Sequence, residues 1–270
     1  MLQISSVQNP RIKNLVKLAK RRERDRQRVT LVEGLREIRH ALAANIQPLE
    51  VYVCPDLLEP EATALLQQLQ GTVTNPPICF IEVTTTIFDK VAYRGNSGGL
   101  LLVIPYLNQP LEQLALSPNP FLILMEGVEK PGNLGAILRT ADAAGVDAVI
   151  VCAGATDIHN PNVIRASLGA LFTLPIVEVT TDALIEWLRQ YSIQIVAADP
   201  AATLYHMQAD LRGPIAIVMG SEARGLTADW LATANTVVKI PMAGAVDSLN
   251  LSAATAIMLY EIVRQRMQNG

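Results

Sequence analysis

The amino-acid sequence predicts an α/β protein of two domains, and three observations support this fold class. The C-terminal part contains short, almost wholly apolar runs: FLILMEGV, AVIVCAG, LPIVEV, IQIVAAD, PIAIVMG and VVKIP. Such runs are typical of strands that are buried on both faces of a mostly parallel sheet. Helical patterns separate most of these runs, which favours a doubly wound arrangement. Residues 107–120 carry three prolines without strong periodicity, which is typical of a linker.

This linker predicts a first domain of residues 1–106 and a second domain of residues 121–270. In the first domain, strands are expected at Val51–Cys54, Ile78–Val83 and Gly99–Pro105. Two helices are expected around them, one with Leu31, Leu35, Ile38 and Leu42 on a shared face and one over Glu61–Gln70. In the second domain, helices are expected at Leu134–Ala144, Pro161–Phe172, Asp182–Tyr191 and Ser248–Gln268.

The composition excludes several classes of protein. Half of the 270 residues are hydrophobic and 17% are charged, which suits a packed core and excludes wholesale disorder. No apolar run is long enough for a membrane helix, and the N-terminal residues lack the apolar segment of a signal peptide. The three cysteines are scattered, which indicates a reducing compartment and a cytoplasmic protein. The three histidines show no metal-ligand spacing, so no metal site is predicted.

The charge is distributed unevenly along the chain. Residues 1–40 contain 11 Lys or Arg and 4 Asp or Glu, a balance of +7, whereas the remaining residues have a balance of −10. Most of the positive excess lies between Arg11 and Arg28. Such a segment suits a phosphate backbone. It also suits a solvated helix whose apolar stripe is formed by Ile12, Leu15, Val16 and Ala19. Both interpretations remain open at this point.

Three glycine-bearing turns follow expected strands of the second domain. They are EKPGNLG at 129–135, MGSEARG at 219–225 and IPMAGAVDSLN at 240–250. Ligands of α/β sheets gather at the carboxyl ends of the strands, where such turns lie. The candidate polar residues on or just after the turns are Asn133, Arg139, Glu222, Ser248 and Asn250. No turn matches the glycine fingerprint of dinucleotide-binding folds or a P-loop, which disfavours both.

Arg139 has two interpretations. It is the one charged residue in the run Leu134–Thr140, so it needs an anion or water. A structural arginine would form an ion pair with Glu126, Glu129 or Glu222. A functional arginine would bind a phosphate or another group of a substrate.

The three turns resemble the three motifs of the SpoU, or TrmH, class of RNA ribose methyltransferases. PGNLGAILRTADAAG resembles the first motif, IVMGSEARGL the second and KIPMAGAVDSLNLSAATAIMLYE the third, in the same order and spacing. The N-terminal segments ISSVQNPRIKNLVKL and LVEGLREIRHAL resemble the small RNA substrate-binding domain of many members. Ser221 departs from the Asn that is usual in the second motif.

The resemblance implies more than the patterns establish. It implies a C-terminal trefoil-knot domain, an N-terminal domain of the ribosomal-protein L30e-like type, and a homodimer with the last helix in its interface. The expected cofactor is S-adenosylmethionine, with Met219, Gly220, Ile240, Met242 and Leu249 at the binding positions. The expected catalytic residues are Arg139, Asn133, Glu222, Ser248 and Asn250. The expected partner is RNA, with neither DNA nor membrane.

The expected reaction is methyl transfer to a ribose 2′-hydroxyl, with ribosomal RNA favoured by the extra N-terminal domain. A tRNA 2′-O-methyltransferase and a non-catalytic RNA-binding protein of the same fold are the alternatives. A dinucleotide-dependent oxidoreductase is a further alternative, disfavoured because the glycine fingerprint is missing. The dimer is expected to use Leu251, Ala254, Ile257, Met258 and Ile262 of the last helix.

Overall fold

In the computed structural model, residues 1–93, 98–107, 109–152, 157–221 and 224–268 are described. The chain folds into two compact units. The N-terminal unit comprises Met1–Leu107 and Ile158–Thr173, and the C-terminal unit comprises Asn108–Asp157 and Leu174–Gly270. In the described part of the chain, no helix is both long and apolar enough to cross a membrane.

The secondary structure alternates between strands and helices. The strands are β1 Leu2–Ile4, β2 Val29–Glu33, β3 Glu50–Val53, β4 Cys79–Val83, β5 Leu100–Pro105, β6 Phe121–Glu126, β7 Ala148–Cys152, β8 Ile176–Val179, β9 Gln194–Ala198, β10 Leu204–Tyr205, β11 Ile215–Met219 and β12 Thr236–Lys239. The helices are α1 Pro10–Lys17, α2 Arg21–Gln27, α3 Leu35–Ala43, α4 Pro60–Gly71, α5 Thr85–Val91, α6 Pro131–Ala144, α7 Pro161–Ala166, α8 Thr181–Gln190, α9 Ala228–Thr233 and α10 Leu251–Met267.

The N-terminal unit is built on a five-stranded mixed sheet in the order β1-β4-β3-β5-β2. Strands β1, β4 and β3 run parallel, and β5 is antiparallel to both β3 and β2. One core of this unit joins sheet residues such as Tyr52 and Ile81 to Ile12 of α1 and Phe88 of α5. The three strands expected from the sequence are therefore confirmed to within one residue.

Two expectations for this unit are wrong. Leu31 lies in strand β2, and the helix begins only at Leu35. The segment VTLVE is extended because all five residues are buried and pair with β5, which outweighs their fit to a helical face. The basic segment forms two helices, α1 and α2, rather than one. Ile12 and Leu15 are buried as expected, whereas Val16 and Ala19 are exposed.

Residues 158–173 follow β7 in the sequence and pack in the N-terminal unit. Thr30 Oγ1 donates to the carbonyl of His159 over 2.5 Å, and the imidazole of His159 stacks on Tyr106 with ring centroids 3.5 Å apart. The expected helix over Pro161–Phe172 is interrupted, because α7 ends at Ala166 and a 3₁₀ turn covers Ala170–Phe172. Gly169 between them has φ of +86°, a conformation that favours glycine.

The C-terminal unit is built on seven parallel strands in the order β10-β12-β9-β11-β6-β7-β8. The central strands β6 and β11 are wholly buried, which explains their uninterrupted apolar sequences. The predicted parallel α/β class is thus confirmed. Leu111 and Leu114 of the proline-rich segment are buried in the core of this unit.

The last helix, α10, is anchored to the C-terminal unit at its far end. Arg266 donates to the carbonyl groups of Asn119, Pro120 and Gly213 at 2.7 to 3.0 Å. Three residues expected on a dimer-forming face, Leu251, Met258 and Ile262, are instead buried within the subunit. The expectation that these three residues form a dimer interface is wrong, because they pack against the core of their own subunit.

Candidate functional site

A cavity of about 540 Å³ lies in the C-terminal unit where strands β9, β11 and β12 end. Because parallel strands point their carboxyl ends to the same edge, the turns that follow them converge there. The cavity is lined by all five expected cofactor-binding residues and by two expected catalytic residues, namely Met219, Gly220, Ile240, Met242, Leu249, Ser248 and Asn250. The second and third glycine-bearing turns therefore form one site.

Gly220 is a position where only glycine fits. A Cβ atom built on Gly220 would lie 2.4 Å from Cδ2 of Leu226 and 2.9 Å from its backbone nitrogen. The side chain of Leu226 belongs to the hydrophobic core, so it cannot simply move aside. The absence of a side chain at Gly220 therefore allows the turn after β11 to fold tightly against Leu226 and to present its backbone to the cavity.

The turn after β12 is exposed over residues 241–250 and ends at the start of α10. Asn250 caps this helix, because its Oδ1 accepts from the backbone nitrogen of Ser252 over 2.9 Å. Ser248 and Leu249 precede the cap and line the cavity. The helix start thus fixes the end of a loop that is otherwise open to solvent.

The first turn is joined to the third through side chains. Nδ2 of Asn250 donates to Oδ1 of Asn133 over 3.1 Å. Asn133 lies in the first turn of α6, and α6 packs against α10. The sequence placed these two residues in separate motifs, and the structure brings them into direct contact. Neither Asn133 nor Arg139 lines the cavity itself.

Arg139 lies further along α6 with an exposed side chain. Within the part of the chain that the structure describes, it makes no hydrogen bond or ion pair. One expected partner, Glu126, instead accepts hydrogen bonds from the backbone nitrogen and Oγ1 of Thr227, both at 2.9 Å. The expected residue Glu222 lies outside the described residues. The geometry therefore gives no support to an ion pair between Arg139 and Glu126.

Four charged residues that were not predicted from the sequence also line the cavity: Lys130, Asp199, Lys239 and Asp247. Asp199 and Lys239 could have been predicted from the sequence, because each lies at the carboxyl end of a parallel strand. The other candidate residues were chosen for that same position. No group of three or more His, Cys, Asp or Glu that could hold a metal ion occurs among the described residues.

The basic segment of the N-terminal unit presents exposed cations. Arg11 and Arg26 are engaged in ion pairs, with Glu50 and Glu23 respectively. Four others are exposed and form no ion pair or hydrogen bond with any described residue, namely Lys13, Lys17, Lys20 and Arg22. Exposed cations that form no close ion pair remain available to an external anion.

Comparison with known proteins assigns a family to both parts of the chain. Residues 120–260 match the model of the SpoU rRNA methylase family, and residues 9–102 match the MRM3-like substrate-binding domain. The 23S rRNA (guanosine-2′-O-)-methyltransferase RlmB of Vibrio vulnificus is 37% identical over 225 residues, which cover 81% of this chain and 90% of that protein.

Solved structures agree with these matches. The crystal structure of an RNA 2′-O ribose methyltransferase has a TM-score of 0.82 and 40% identity, covering 98% of this chain and 100% of that one. The AdoMet-bound rRNA methyltransferase from Sinorhizobium meliloti has a TM-score of 0.88 and 28% identity, covering 97% of both chains. By contrast, the TrmH/SpoU tRNA modifying enzyme of A. aeolicus, with a TM-score of 0.51 and 27% identity, covers 57% of this chain and 79% of its own.

These matches extend over both the predicted motifs and the N-terminal unit. The three glycine-bearing turns lie within residues 120–260, and the basic segment lies wholly within residues 9–102. The chain therefore belongs to the SpoU rRNA methylase family.

Proposed function

We propose that this chain transfers a methyl group from S-adenosylmethionine to a ribose 2′-hydroxyl of ribosomal RNA. The observation that supports this most strongly is the convergence of the second and third motifs on one cavity, with the first motif tied to the third by the bond between Asn133 and Asn250. The 23S rRNA methyltransferase relatives favour a guanosine of the large-subunit RNA as the target.

The cavity fits the proposed cofactor in size and in chemistry. Its volume of about 540 Å³ is in the range of sites for small molecules and cofactors. Apolar side chains of Met219, Leu226 and Leu249 suit the adenosine rings, while backbone groups at Gly220 and Ile240 supply hydrogen-bonding partners. The bound cofactor would supply an electrophilic methyl group on a sulfonium centre.

Arg139 is the residue that we assign to the RNA side of the reaction. A ribose 2′-hydroxyl would lose its proton to water as its oxygen attacks the methyl carbon, and S-adenosylhomocysteine would leave as the methyl–sulfur bond breaks. A nearby cation stabilises the charge that develops on the attacking oxygen. A guanidinium is almost never deprotonated in proteins, so we assign Arg139 the tasks of holding a phosphate and polarising the hydroxyl. Its exposure and lack of an ion pair among the described residues leave it available for both.

The polar residues around the cavity have positioning roles in this proposal. Asn250 fixes the end of the third motif by capping α10, and its bond to Asn133 holds the start of α6 against that motif. Ser248 lies on the exposed loop between Ile240 and the helix, where its hydroxyl is open to a substrate. For Glu222, which lies outside the described residues, we propose a role in positioning Arg139 or the first-motif turn.

The N-terminal unit supports RNA binding and ribosomal rather than transfer RNA. Four of its cations are exposed and form no ion pair with any described residue, namely Lys13, Lys17, Lys20 and Arg22. They suit contacts with phosphates, which depend on counterion release and therefore on salt. The tRNA modifying enzyme of A. aeolicus covers 57% of this chain, whereas the rRNA methyltransferase from Sinorhizobium meliloti covers 97% of it. A substrate-binding domain at residues 9–102 fits the larger RNA.

A homodimer is the assembly that we propose, with a revised interface. On α10, Ala253, Ile257, Tyr260, Arg264 and Met267 are exposed and repeat at intervals of four and three residues, so they share one face. This stripe begins next to the cavity-lining Leu249, which is 38% exposed. A partner subunit on this face would cover both the exposed stripe of α10 and Leu249. Light scattering at micromolar concentration should give a dimer, and a clean monomer would contradict it.

The trefoil knot and the cytoplasmic location remain part of the proposal. The knot rests on the family resemblance and is consistent with the second and third motifs closing on one cavity. The cytoplasmic location rests on a ribosomal RNA substrate and on three free, scattered cysteines, Cys54, Cys79 and Cys152.

Mapping of ribose methylation in total RNA tests the proposed function. Cells with and without the gene should differ at a single 2′-O-methyl site in ribosomal RNA. Loss of a site in tRNA would favour the alternative substrate. If no site changes while the purified protein still binds RNA and not S-adenosylmethionine in a calorimetric titration, the chain is a non-catalytic RNA-binding protein.

A further inference from the structure

We propose that Tyr93 of the N-terminal unit is a stacking platform for an unpaired RNA base. This inference rests on the proposed function, because it takes RNA as the ligand. Tyr93 is 60% exposed, the highest exposed fraction among the tyrosines that the structure describes. The residue lies two positions after the end of α5, within the stretch that matches a substrate-binding domain.

The buried carboxylate of Glu33 holds both Tyr93 and the neighbouring Arg165 in place. Oε2 of Glu33 accepts from the backbone nitrogen of Tyr93 over 2.7 Å, and Oε1 of the same residue accepts from Nη1 of Arg165 over 3.2 Å. Only 6% of Glu33 is exposed, so these bonds are made away from bulk water. The carboxylate thereby fixes the backbone of Tyr93 and the guanidinium of Arg165 relative to each other.

Arg165 covers one side of the tyrosine ring. Its Cζ atom lies 5.2 Å from the ring centroid, within the range of a cation–π contact. The contact restrains the ring from behind while most of its surface stays accessible. A restrained, accessible aromatic ring loses little conformational freedom when a base stacks on it.

Tyr106 of the same unit has contacts that are typical of a structural tyrosine, and it can be compared with Tyr93. Its ring has Arg28 at 4.8 Å from the centroid and also the imidazole of His159 stacked at 3.5 Å. Its hydroxyl donates to Asp25 over 2.8 Å. Tyr106 is thus held through its ring and its hydroxyl, whereas Tyr93 has Arg165 alone as a ring partner among the described residues.

The charge of the unit favours RNA over a protein as the occupant. The first forty residues have a balance of +7, and Lys17 and Arg22 of this unit form no ion pair among the described residues. Single-stranded RNA is bound by a combination of such cations with aromatic rings on which bases stack. In this proposal, one RNA base stacks on Tyr93 while phosphates of the same RNA strand contact the cations of the unit.

Fluorescence anisotropy with short single-stranded oligoadenosine tests the proposal, using a matched oligomer with abasic sites as the second probe. Tyr93→Ala should weaken binding of oligoadenosine by about fivefold or more, the effect of losing one stacked base. It should leave binding of the abasic oligomer and the slope of affinity against salt unchanged, because no charge is lost. Tyr93→Phe should bind like the wild type, and Tyr93→Leu should bind like the alanine variant.

Tyr191 offers a matched control, because it is 54% exposed but lies in the C-terminal unit against Trp187. Tyr191→Ala should leave both affinities unchanged. The proposal is overturned if Tyr93→Ala binds oligoadenosine as tightly as the wild type, or if it loses the same factor on the abasic oligomer. Methylation of ribosomal RNA by the wild type is measured in parallel. If the wild type methylates ribosomal RNA but Tyr93→Ala binds oligoadenosine normally, only the stacking proposal is rejected. If the wild type is inactive but Tyr93→Ala loses affinity for oligoadenosine, only the proposed reaction is rejected.

Discussion

Asn250 donates to Asn133 across 3.1 Å while its own Oδ1 caps α10 by accepting from Ser252. One side chain therefore has two tasks, and a substitution can separate them. Asn250→Asp keeps an oxygen for the cap but removes the donor to Asn133. We expect unfolding stability close to that of the wild type and weaker binding of S-adenosylmethionine, measured by urea unfolding and calorimetry.

Asn250→Ala removes both tasks and serves as the comparison. It should lower the free energy of unfolding by about 1 kcal/mol, the usual effect of losing an N-cap. If the aspartate variant binds S-adenosylmethionine as tightly as the wild type, the link between the first and third motifs has no role in shaping the cavity.

Arg139→Ala should leave a folded protein that still binds S-adenosylmethionine, because Arg139 makes no hydrogen bond or ion pair with the described residues and does not line the cavity. Methyl transfer should fall by about a hundredfold or more, the scale for one positioned group at a transition state. Arg139→Lys should restore little activity, since lysine lacks the planar two-pronged grip on phosphate.

Arg189 is a suitable control for that experiment, because it is an exposed arginine on α8 away from the cavity. Arg189→Ala should leave the rate of methyl transfer unchanged. Full activity of Arg139→Ala would make Arg139 a surface residue, and near-normal activity of Arg139→Lys would replace the phosphate clamp by a simple point charge.

Gly220→Ala should abolish most cofactor binding. Its new Cβ would lie 2.9 Å from the backbone nitrogen of Leu226, so the turn itself must move. We expect the Kd for S-adenosylmethionine to rise by about tenfold or more, which corresponds to about 1.4 kcal/mol. Gly213→Ala is the control, because nothing lies within 4 Å of the corresponding position. Equal Kd values for both variants would show that the tight turn is unimportant.

His159 predicts a dependence of stability on pH. Burial lowers the pKa of His159 from 6.5 to about 4, and its Nε2 lies 2.9 Å from the carbonyl of Leu107. The unfolded chain therefore takes up a proton at a higher pH than the folded protein does. The stability from the neutral imidazole is fully present above pH 6.5 and is lost as the pH falls toward about 4.

This loss amounts to between about 3 and 4 kcal/mol at most, at about 1.4 kcal/mol for each pKa unit between 6.5 and about 4. Urea unfolding of the wild type and of His159→Phe, which can still stack on Tyr106, measures it. The wild type should lose more stability than the variant between pH 6.5 and 5. Parallel pH profiles for the two proteins would mean that His159 titrates normally.

The sequence predicted the C-terminal unit better than the N-terminal one for a physical reason. Strands such as β6 and β11 are buried on both faces, and their apolar runs have no other good explanation. The strand β2 was mistaken for a helix because its apolar residues continue the spacing of α3. Only the pairing of β2 with β5, which is distant in the sequence, makes this segment a strand.

For the site, the motifs located the cavity-lining residues but not their mutual contacts. The bond between Asn133 and Asn250 joins residues that are 117 positions apart, which no local pattern encodes. The sequence also could not predict that residues 158–173 belong to the N-terminal unit, because this depends on contacts such as the stack of His159 on Tyr106. The face of α10 was misassigned because a helix with apolar residues on several sides gives no single direction.

The most direct test of the central claim is the chemical position of the transferred methyl group. The purified protein is incubated with radiolabelled S-adenosylmethionine and a 23S rRNA transcript, and the product is digested with alkali, which cleaves RNA only where a free 2′-hydroxyl is present. We predict that the label stays in one alkali-resistant dinucleotide and that a transcript with 2′-deoxyribose at that nucleotide accepts none. Label released with a mononucleotide, or transfer to the deoxy transcript, would contradict ribose 2′-O-methylation.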